Sequence, residues 1–212
     1  MPSKFRLRPI FAPIVKALAK GLKKIGITAN IASLLMLAFS LLSGVFLVLG
    51  DSFLWFGIFI FLTGIMDGVD GAIARLSEKH SNFGGILDST LDRLSEAIIL
   101  GALLIDPEKI FAFSFEFSLI LVMSSFVCSF MISYTRARAE LAHSTIDANV
   151  GLMARSERLF YLFLLSLISH FWIQSAFSYG FLLYFILVCS TMVYRILHYK
   201  KELVSENPGR KN

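Results

Sequence analysis

The sequence contains few charged side chains and few cysteines for a chain of 212 residues. Lysine, arginine, aspartate and glutamate make up 17% of it, whereas 56% of the residues are hydrophobic and the mean hydropathy is +0.72. A soluble domain of this length would need more polar surface, so the composition indicates an integral membrane protein. The two cysteines, Cys128 and Cys189, each lie in an apolar stretch without a nearby histidine, which argues against a zinc site and predicts ordinary packing.

Short polar breaks divide most of the chain into six apolar segments. At roughly 20 residues per membrane crossing, the length suits one domain. We therefore predict an all-α fold with six transmembrane helices over residues 28–201, followed by a polar C-terminal tail, 202–212. The segments cover residues 30–49, 53–75, 84–105, 110–139, 152–172 and 179–197.

Residues 1–27 predict an amphipathic helix rather than a signal peptide, because they contain no uninterrupted apolar core. Apolar residues recur at helical spacing, and the lysines fall largely on other faces. We interpret this segment as an interfacial helix whose basic side faces anionic headgroups. The alternative is a solvated helix packed on the domain. The apolar residues are Phe11, Ile14, Val15, Leu18, Leu22 and Ile25.

The distribution of positive charge predicts the topology. If the six segments cross the membrane in alternating directions and the N-terminus is inside, every lysine and arginine except Lys109 falls on the inner side. Both termini are then cytoplasmic in a multi-pass protein of the cell membrane.

Four aspartates lie where the second and third segments meet the inner face. Asp67 and Asp70 are three residues apart, and Asp88 and Asp92 are four apart, so each pair shares a helix face. A helical hairpin with a short turn could bring the two pairs together. Four carboxylates in one cleft repel each other, and hard divalent cations such as Mg²⁺ or Mn²⁺ resolve that conflict, with room for two ions. The alternative is helix packing with buried Asp–Arg pairs.

Small residues surround the first aspartate pair. Gly68, Gly71 and Ala74 leave one helix face open to a neighbouring helix or a ligand. Gly71 follows Asp70 directly, and Arg75 lies one turn further, where it could bind a phosphate. The same face could therefore hold a nucleotide.

Residues 67–92 read DGVDGAIARLSEKHSNFGGILDSTLD. This spacing of four aspartates, two glycines, an alanine and an arginine resembles the signature of the CDP-alcohol phosphotransferases, whose six-span layout the chain also resembles. The resemblance implies an enzyme of phospholipid biosynthesis. An alcohol attacks a CDP-linked lipid, the lipid phosphoryl group moves to the alcohol, and CMP leaves. Family precedent also implies a homodimer, and we expect no nucleic-acid partner.

The resemblance assigns roles residue by residue. It implies that Asp67, Asp70 and Asp88 bind the metal ions, and that Asp92 both touches metal and acts as general base. CDP-lipid binding is implied for a set that includes Asn30, which stands in a Thr-Ala-Asn sequence where relatives often carry Thr-Pro-Asn. This set is Asn30, Asp67, Gly71, Arg75 and Ser81.

Arginines near the inner ends of three segments suggest that the acceptor alcohol carries a phosphate. The alternative is that they are ordinary positive-inside anchors. The sequences SYTRARAE and ARSERL resemble the inositol-phosphate-using branch of the family, which makes phosphatidylinositol or archaetidylinositol phosphate. Glycerol 3-phosphate is the second candidate acceptor. The candidate acceptor-binding residues are Arg136, Arg155, Arg158 and Arg195.

A divalent-cation transporter stays open as a different class of protein, because intramembrane carboxylates also mark ion paths. All four aspartates lie near the inner face, and the sequence contains no matching outer acidic site. Release of CMP from a CDP-lipid would separate the two classes.

Overall fold

The computed structural model describes residues 7–77, 82–142, 150–172 and 175–206, and within these ranges it is helical without any strand. The predicted all-α fold is thus confirmed. The helices are α1 (Leu7–Lys24), α2 (Ala29–Val48), α3 (Phe53–Ser77), α4 (Asn82–Ala102), α5 (Pro107–Ile110), α6 (Phe115–Ala142), α7 (Arg155–Phe171) and α8 (Ala176–Glu206).

Four of the described helices, α2, α3, α6 and α8, are long and apolar enough to cross a membrane. The chain is therefore a multi-pass membrane protein. Helices α4 and α7 coincide with two further predicted segments, but α4 carries several charged residues and α7 has 17 residues. The count of six spans, like the orientation of the termini, stays a prediction.

Two element boundaries differ from those expected. The predicted break at 106–109 contains the short helix α5, which begins at Pro107, where the missing proline N–H costs no intrahelical bond. Helix α8 continues to Glu206, so residues 202–206 of the predicted polar tail are helical. Residues 207–212 lie outside the described ranges.

The packing order of the helices places α2 at the centre of the aspartate-bearing region. Helix α2 packs against both α3 and α4, while α3 also packs against α7, and α8 packs against α6 and α7. Helices α3 and α4 make little direct contact with each other. The expected tight hairpin of these two helices is therefore absent, and α2 lies between them.

Aromatic side chains and small residues hold the bundle together away from the aspartates. The rings of Phe177 and Phe181 are buried, and the Phe53 and Phe177 rings have centroids 4.9 Å apart. A Cβ atom on Gly57 would lie 2.8 Å from Ser166 Cβ, so this glycine permits the close approach of α3 and α7. Between membrane helices such close packing replaces the hydrophobic driving force of soluble cores.

Helix α1 packs along α3, up to its C-terminal end, and against the N-terminal half of α7. Phe11 packs against Phe61 of α3 and Phe160 of α7, with ring centroids 6.0 and 5.7 Å apart. At the end of α1, Lys23 donates a hydrogen bond to the carbonyl of Leu76, in the last turn of α3. Ile10, Ile14, Leu18 and Ile25 remain exposed. The apolar residues of this segment are thus divided between the bundle and an outward face.

Candidate active site

Arg155, at the start of α7, joins one aspartate of α3 to one aspartate of α4. Its Nη1 donates hydrogen bonds to Asp67 and Asp92, and all three side chains are largely buried. An arginine that contacts two carboxylates offsets part of their mutual repulsion. The structure therefore brings Asp67 and Asp92 together, as the sequence predicted, and adds a cation that the sequence had assigned to the acceptor.

Ser33 of α2 joins the other two aspartates. Its Oγ lies 3.0 Å from Asp70 Oδ2 and 3.4 Å from Asp88 Oδ1. Asp70 is 3% exposed, and its second oxygen accepts a hydrogen bond from the backbone N–H of Gly71 at 2.5 Å. Both oxygens of Asp70 thus have fixed donors, one from each of two helices.

The donor set of the site fits a hard divalent cation. Four carboxylates and a serine hydroxyl offer oxygen ligands, which are the ligands that Mg²⁺ and Mn²⁺ prefer. In the part of the chain that the structure describes, no three acidic, histidine or cysteine side chains form a ready-made cage. Arg155 lies between Asp67 and Asp92, so these two carboxylates contact a cation of the protein itself.

One N–H group of Arg155 has no hydrogen-bond partner among the described residues. Its Nη2 donates to Ser95 Oγ at 2.6 Å and lies 3.3 Å from the sulfur of Met36. Its Nε is buried and makes no hydrogen bond to any described residue. A buried donor without a partner costs roughly 1–3 kcal/mol, so this N–H is an unsatisfied polar group in the wall of the site.

Arg158 and Arg195 are buried in the wall of the same region, 1% and 2% exposed. Arg158 binds Glu96 of α4 through two hydrogen bonds and donates a third to the carbonyl of Met153. Arg195 donates to the carbonyls of Val150 and Ile132 at 2.8 and 2.9 Å. Both guanidinium groups therefore have structural partners in addition to any ligand.

Arg136 differs from the buried arginines. Its side chain is 40% exposed and pairs with Glu140 one turn further along α6, with Nε 2.8 Å from the carboxylate. An exposed pair of this kind contributes about 0.3–0.5 kcal/mol. Arg136 can therefore exchange Glu140 for a ligand at little cost.

A polar cavity of about 300 Å³ lies among α3, α4, α6, α7 and α8. It contains three of the four aspartates and all four candidate arginines. The other lining residues include three glutamates and several small polar side chains. Its charged and polar lining includes Asp67, Asp88, Asp92, Glu96, Arg136, Arg155, Ser156, Glu157, Arg158 and Arg195.

A second cavity, the α1 groove, lies among α1, α3 and α7 and has a volume of about 400 Å³. Apolar side chains such as Phe61 and Val15 line most of it, whereas Gly71 and Arg75 line its polar end. Asp67 and Ser156 border both the α1 groove and the polar cavity. The two cavities therefore meet at the aspartate site.

One predicted nucleotide-binding residue, Asn30, is not brought to either cavity. Asn30 lies in the first turn of α2 with its side chain exposed, and it borders neither the groove nor the polar cavity. Ser81 falls outside the described residues. Gly71 and Arg75 do line the groove, as the sequence suggested for a nucleotide site.

Sequence reasoning missed three residues that position the site, namely Ser33, Ser95 and Glu96. Ser33 lies one turn beyond Asn30 in a helix without charged residues, and Ser95 and Glu96 lie one turn beyond Asp92. A polar residue on the aspartate face of a membrane helix is the signal that could have found Ser95 and Glu96. Ser33 had no such signal, because α2 carries no aspartate.

Comparison with known proteins identifies the family. The sequence model of the CDP-alcohol phosphatidyltransferases matches residues 26–194. The chain therefore belongs to the CDP-alcohol phosphatidyltransferase family, and the prediction from the aspartate spacing is confirmed. Members of this family are transferases of substituted phosphate groups.

Two curated relatives are similar to this chain over most of its length. The archaetidylinositol phosphate synthase of Pyrococcus horikoshii is 33% identical over 93% of this chain and 97% of its own length. The phosphatidylinositol phosphate synthase of Mycobacteroides abscessus is 33% identical over 72% of this chain and 67% of its own.

Crystal structures of Mycobacterium tuberculosis phosphatidylinositol phosphate synthase have the same fold. The complex with CDP-DAG has a TM-score of 0.72 at 27% identity, and covers 88% of this chain and 94% of that one. The complex with manganese and citrate has a TM-score of 0.74 at 26% identity and covers 88% of each chain.

Proposed function

We propose that this protein transfers the lipid phosphoryl group of a CDP-lipid to a hydroxyl of inositol 1-phosphate and releases CMP. The main observation behind the proposal is that two cavities of different character share the lining residues Asp67 and Ser156. One is apolar with a polar end, and the other is polar and lined by arginines. The names of the two relatives, from an archaeon and a bacterium, support the same substrate class.

The α1 groove suits the CDP-lipid. Its apolar walls can hold a lipid chain, and Gly71 and Arg75 lie where the diphosphate would enter the aspartate site. A bound CDP-DAG in the mycobacterial structure supports a CDP-lipid donor. Asn30 and Ser81 remain part of the proposed nucleotide contacts, with Asp67, Gly71 and Arg75. The donor is CDP-diacylglycerol or CDP-archaeol.

The aspartates hold the divalent ions in this proposal. Asp67, Asp70, Asp88 and Asp92 offer enough carboxylates for two Mg²⁺ ions, with Mn²⁺ as a substitute, and the manganese complex of the mycobacterial relative supports a metal. When bound, such ions would neutralise the diphosphate and stabilise the departing CMP.

Asp92 is the proposed general base. Its carboxylate lines the polar cavity, where the acceptor hydroxyl would arrive. The hydroxyl oxygen attacks the lipid-linked phosphorus, its proton passes to an Asp92 oxygen, and the bond to the CMP oxygen breaks. Arg155, already in contact with Asp92, would hold that carboxylate in a fixed orientation.

The polar cavity suits a phosphorylated polyol. Arg155 lines this cavity beside Asp92, and Arg136 lines it with only an exposed ion pair to Glu140, so we assign these two to the acceptor phosphate. Arg158 and Arg195 line the same cavity, where the charge of Arg158 is paired with Glu96. Glycerol 3-phosphate carries the same phosphate and is the second candidate acceptor.

The proposed setting is a cell membrane with the site on the cytoplasmic side. Helices α4 and α7 would complete six spans with α2, α3, α6 and α8, and both termini would be cytoplasmic. We propose that residues 1–27 contain the interfacial helix, α1, that 28–201 make up the transmembrane domain, and that 202–212 are the tail, into which α8 extends as far as Glu206. The exposed Ile10 and Ile14 of α1 support contact with the bilayer. We also propose a homodimer and no nucleic-acid partner.

The test is CMP release by the purified protein with CDP-diacylglycerol and with CDP-archaeol. The acceptors are inositol 1-phosphate, glycerol 3-phosphate, free inositol and serine, and the lipid product is identified by mass spectrometry. We expect turnover with inositol 1-phosphate, its loss in excess chelator, and its return with Mg²⁺ or Mn²⁺. Preference for free inositol would contradict the phosphate pocket. No CMP release with any acceptor would contradict the transferase and favour a cation transporter, measured as Mn²⁺ uptake into proteoliposomes.

A further inference from the structure

We propose that Ser33 is a positioning residue that orients Asp70 and Asp88 for divalent-cation binding. The inference rests on the proposed function, since it concerns the same metal site. It starts from the packing of α2 between α3 and α4, which leaves Ser33 as the side chain that reaches an aspartate on each side.

The hydroxyl of Ser33 has one proton and several acceptors within reach. Its Oγ lies 3.0 Å from Asp70, 3.2 Å from the carbonyl of Ala29 and 3.4 Å from Asp88. The carbonyl one turn back is the usual acceptor for a serine inside a helix. The other buried serines of α2, Ser40 and Ser43, bond only to such carbonyls. Ser33 is the member of this set that also contacts carboxylates.

The contact constrains two carboxylates that belong to different helices. Asp70 is held from both sides, by Ser33 at Oδ2 and by the Gly71 N–H at Oδ1. Groups that hydrogen-bond to metal ligands set the direction of the ligand, and their loss typically lowers metal affinity 10–100-fold. Because α3 and α4 barely touch, the spacing of Asp70 and Asp88 depends on the residue between them.

The experiment compares Mn²⁺ binding, by electron paramagnetic resonance without any substrate, to the full-length wild type and three variants. Ser33→Ala should raise the Kd for Mn²⁺ about 10–100-fold, and Ser33→Thr, which keeps the hydroxyl, should retain the wild-type Kd. Ser40→Ala is the matched control, since Ser40 is equally buried on the same helix and bonds only to a backbone carbonyl. It should leave the Kd unchanged. Thermal unfolding of each variant checks the fold.

The outcomes separate this inference from the proposed function. An unchanged Kd in Ser33→Ala, or a folded Ser33→Thr protein that binds Mn²⁺ as weakly as Ser33→Ala, would overturn the positioning role while leaving the transferase intact. Failure of the wild type to bind Mn²⁺ would instead overturn the metal assignment on which both depend. A rise in Kd in Ser33→Ala, with none in Ser33→Thr or Ser40→Ala, supports the inference.

Discussion

Arg158 of α7 and Glu96 of α4 form a buried two-point ion pair, with nitrogen–oxygen distances of 2.6 and 2.7 Å. The pair lies one turn beyond the contact between Arg155 and Asp92 on the same two helices. Helices α4 and α7 make little direct contact, so the two ion pairs bridge the polar cavity between them. Side-chain ion pairs rather than direct backbone packing therefore connect α4 to α7 at this cavity.

The first prediction concerns the stability contributed by this pair. Glu96→Ala leaves the Arg158 guanidinium buried without its carboxylate, which should cost about 3–5 kcal/mol of the free energy of unfolding. A double variant, Glu96→Met with Arg158→Met, should recover part of that loss because no charge is then left unpaired. Thermal unfolding in detergent measures both. Wild-type stability of Glu96→Ala would show that Arg158 does not depend on Glu96.

The second prediction concerns the proposed base. Asp92→Asn keeps the shape of the side chain but cannot accept the hydroxyl proton, so turnover should be abolished while CDP-lipid binding is largely retained. The measurements are CMP release at saturating Mg²⁺ and acceptor, and equilibrium binding of the CDP-lipid. Comparable turnover by variant and wild type would rule out the base role of Asp92.

The third prediction concerns the acceptor phosphate. Arg136→Gln and Arg155→Gln should each raise the acceptor KM tenfold to hundredfold, because a charge-assisted contact contributes roughly 1.5–3 kcal/mol. Arg155→Gln should also lower kcat, because it removes the contacts to Asp67 and Asp92. The CDP-lipid KM should change little in Arg136→Gln, whose side chain contacts none of the proposed CDP-lipid residues that the structure describes. Arg138→Gln is the control, since Arg138 is exposed on the same helix as Arg136 and lies outside the cavity lining. Wild-type acceptor KM in both Arg155 and Arg136 variants would contradict the phosphate pocket.

The fourth prediction concerns the loop before α7. Gly151 has φ +92°, and a Cβ there would lie 2.7 Å from Thr191 Cγ2. Gly151→Ala should therefore destabilise the protein by about 1–3 kcal/mol, measured by thermal unfolding. The control is Gly101→Ala in α4, where a Cβ meets nothing within 4 Å; it should be neutral or slightly stabilising. Equal stability of the two variants would contradict the strain at Gly151.

The sequence alone determined the class of fold and the family. Composition and apolar segments predicted an all-α membrane protein, because a helix is the structure that satisfies its own backbone hydrogen bonds in a bilayer. The spacings of Asp67 with Asp70 and of Asp88 with Asp92 placed each pair on one face, because residues three or four apart share a face in any α-helix. Those are local properties of a helix and need no knowledge of its neighbours.

Tertiary structure determined which residues of other helices contact the two aspartate pairs. The insertion of α2 between α3 and α4 brought Ser33 to Asp70 and Asp88, and the placement of α7 gave Arg155 to Asp67 and Asp92. Four arginines look alike in the sequence, yet Arg158 binds Glu96 whereas Arg136 remains half-exposed beside Glu140. The partner of a charge depends on which helices pack side by side and at what separation. Residue spacing within one helix carries no record of that arrangement.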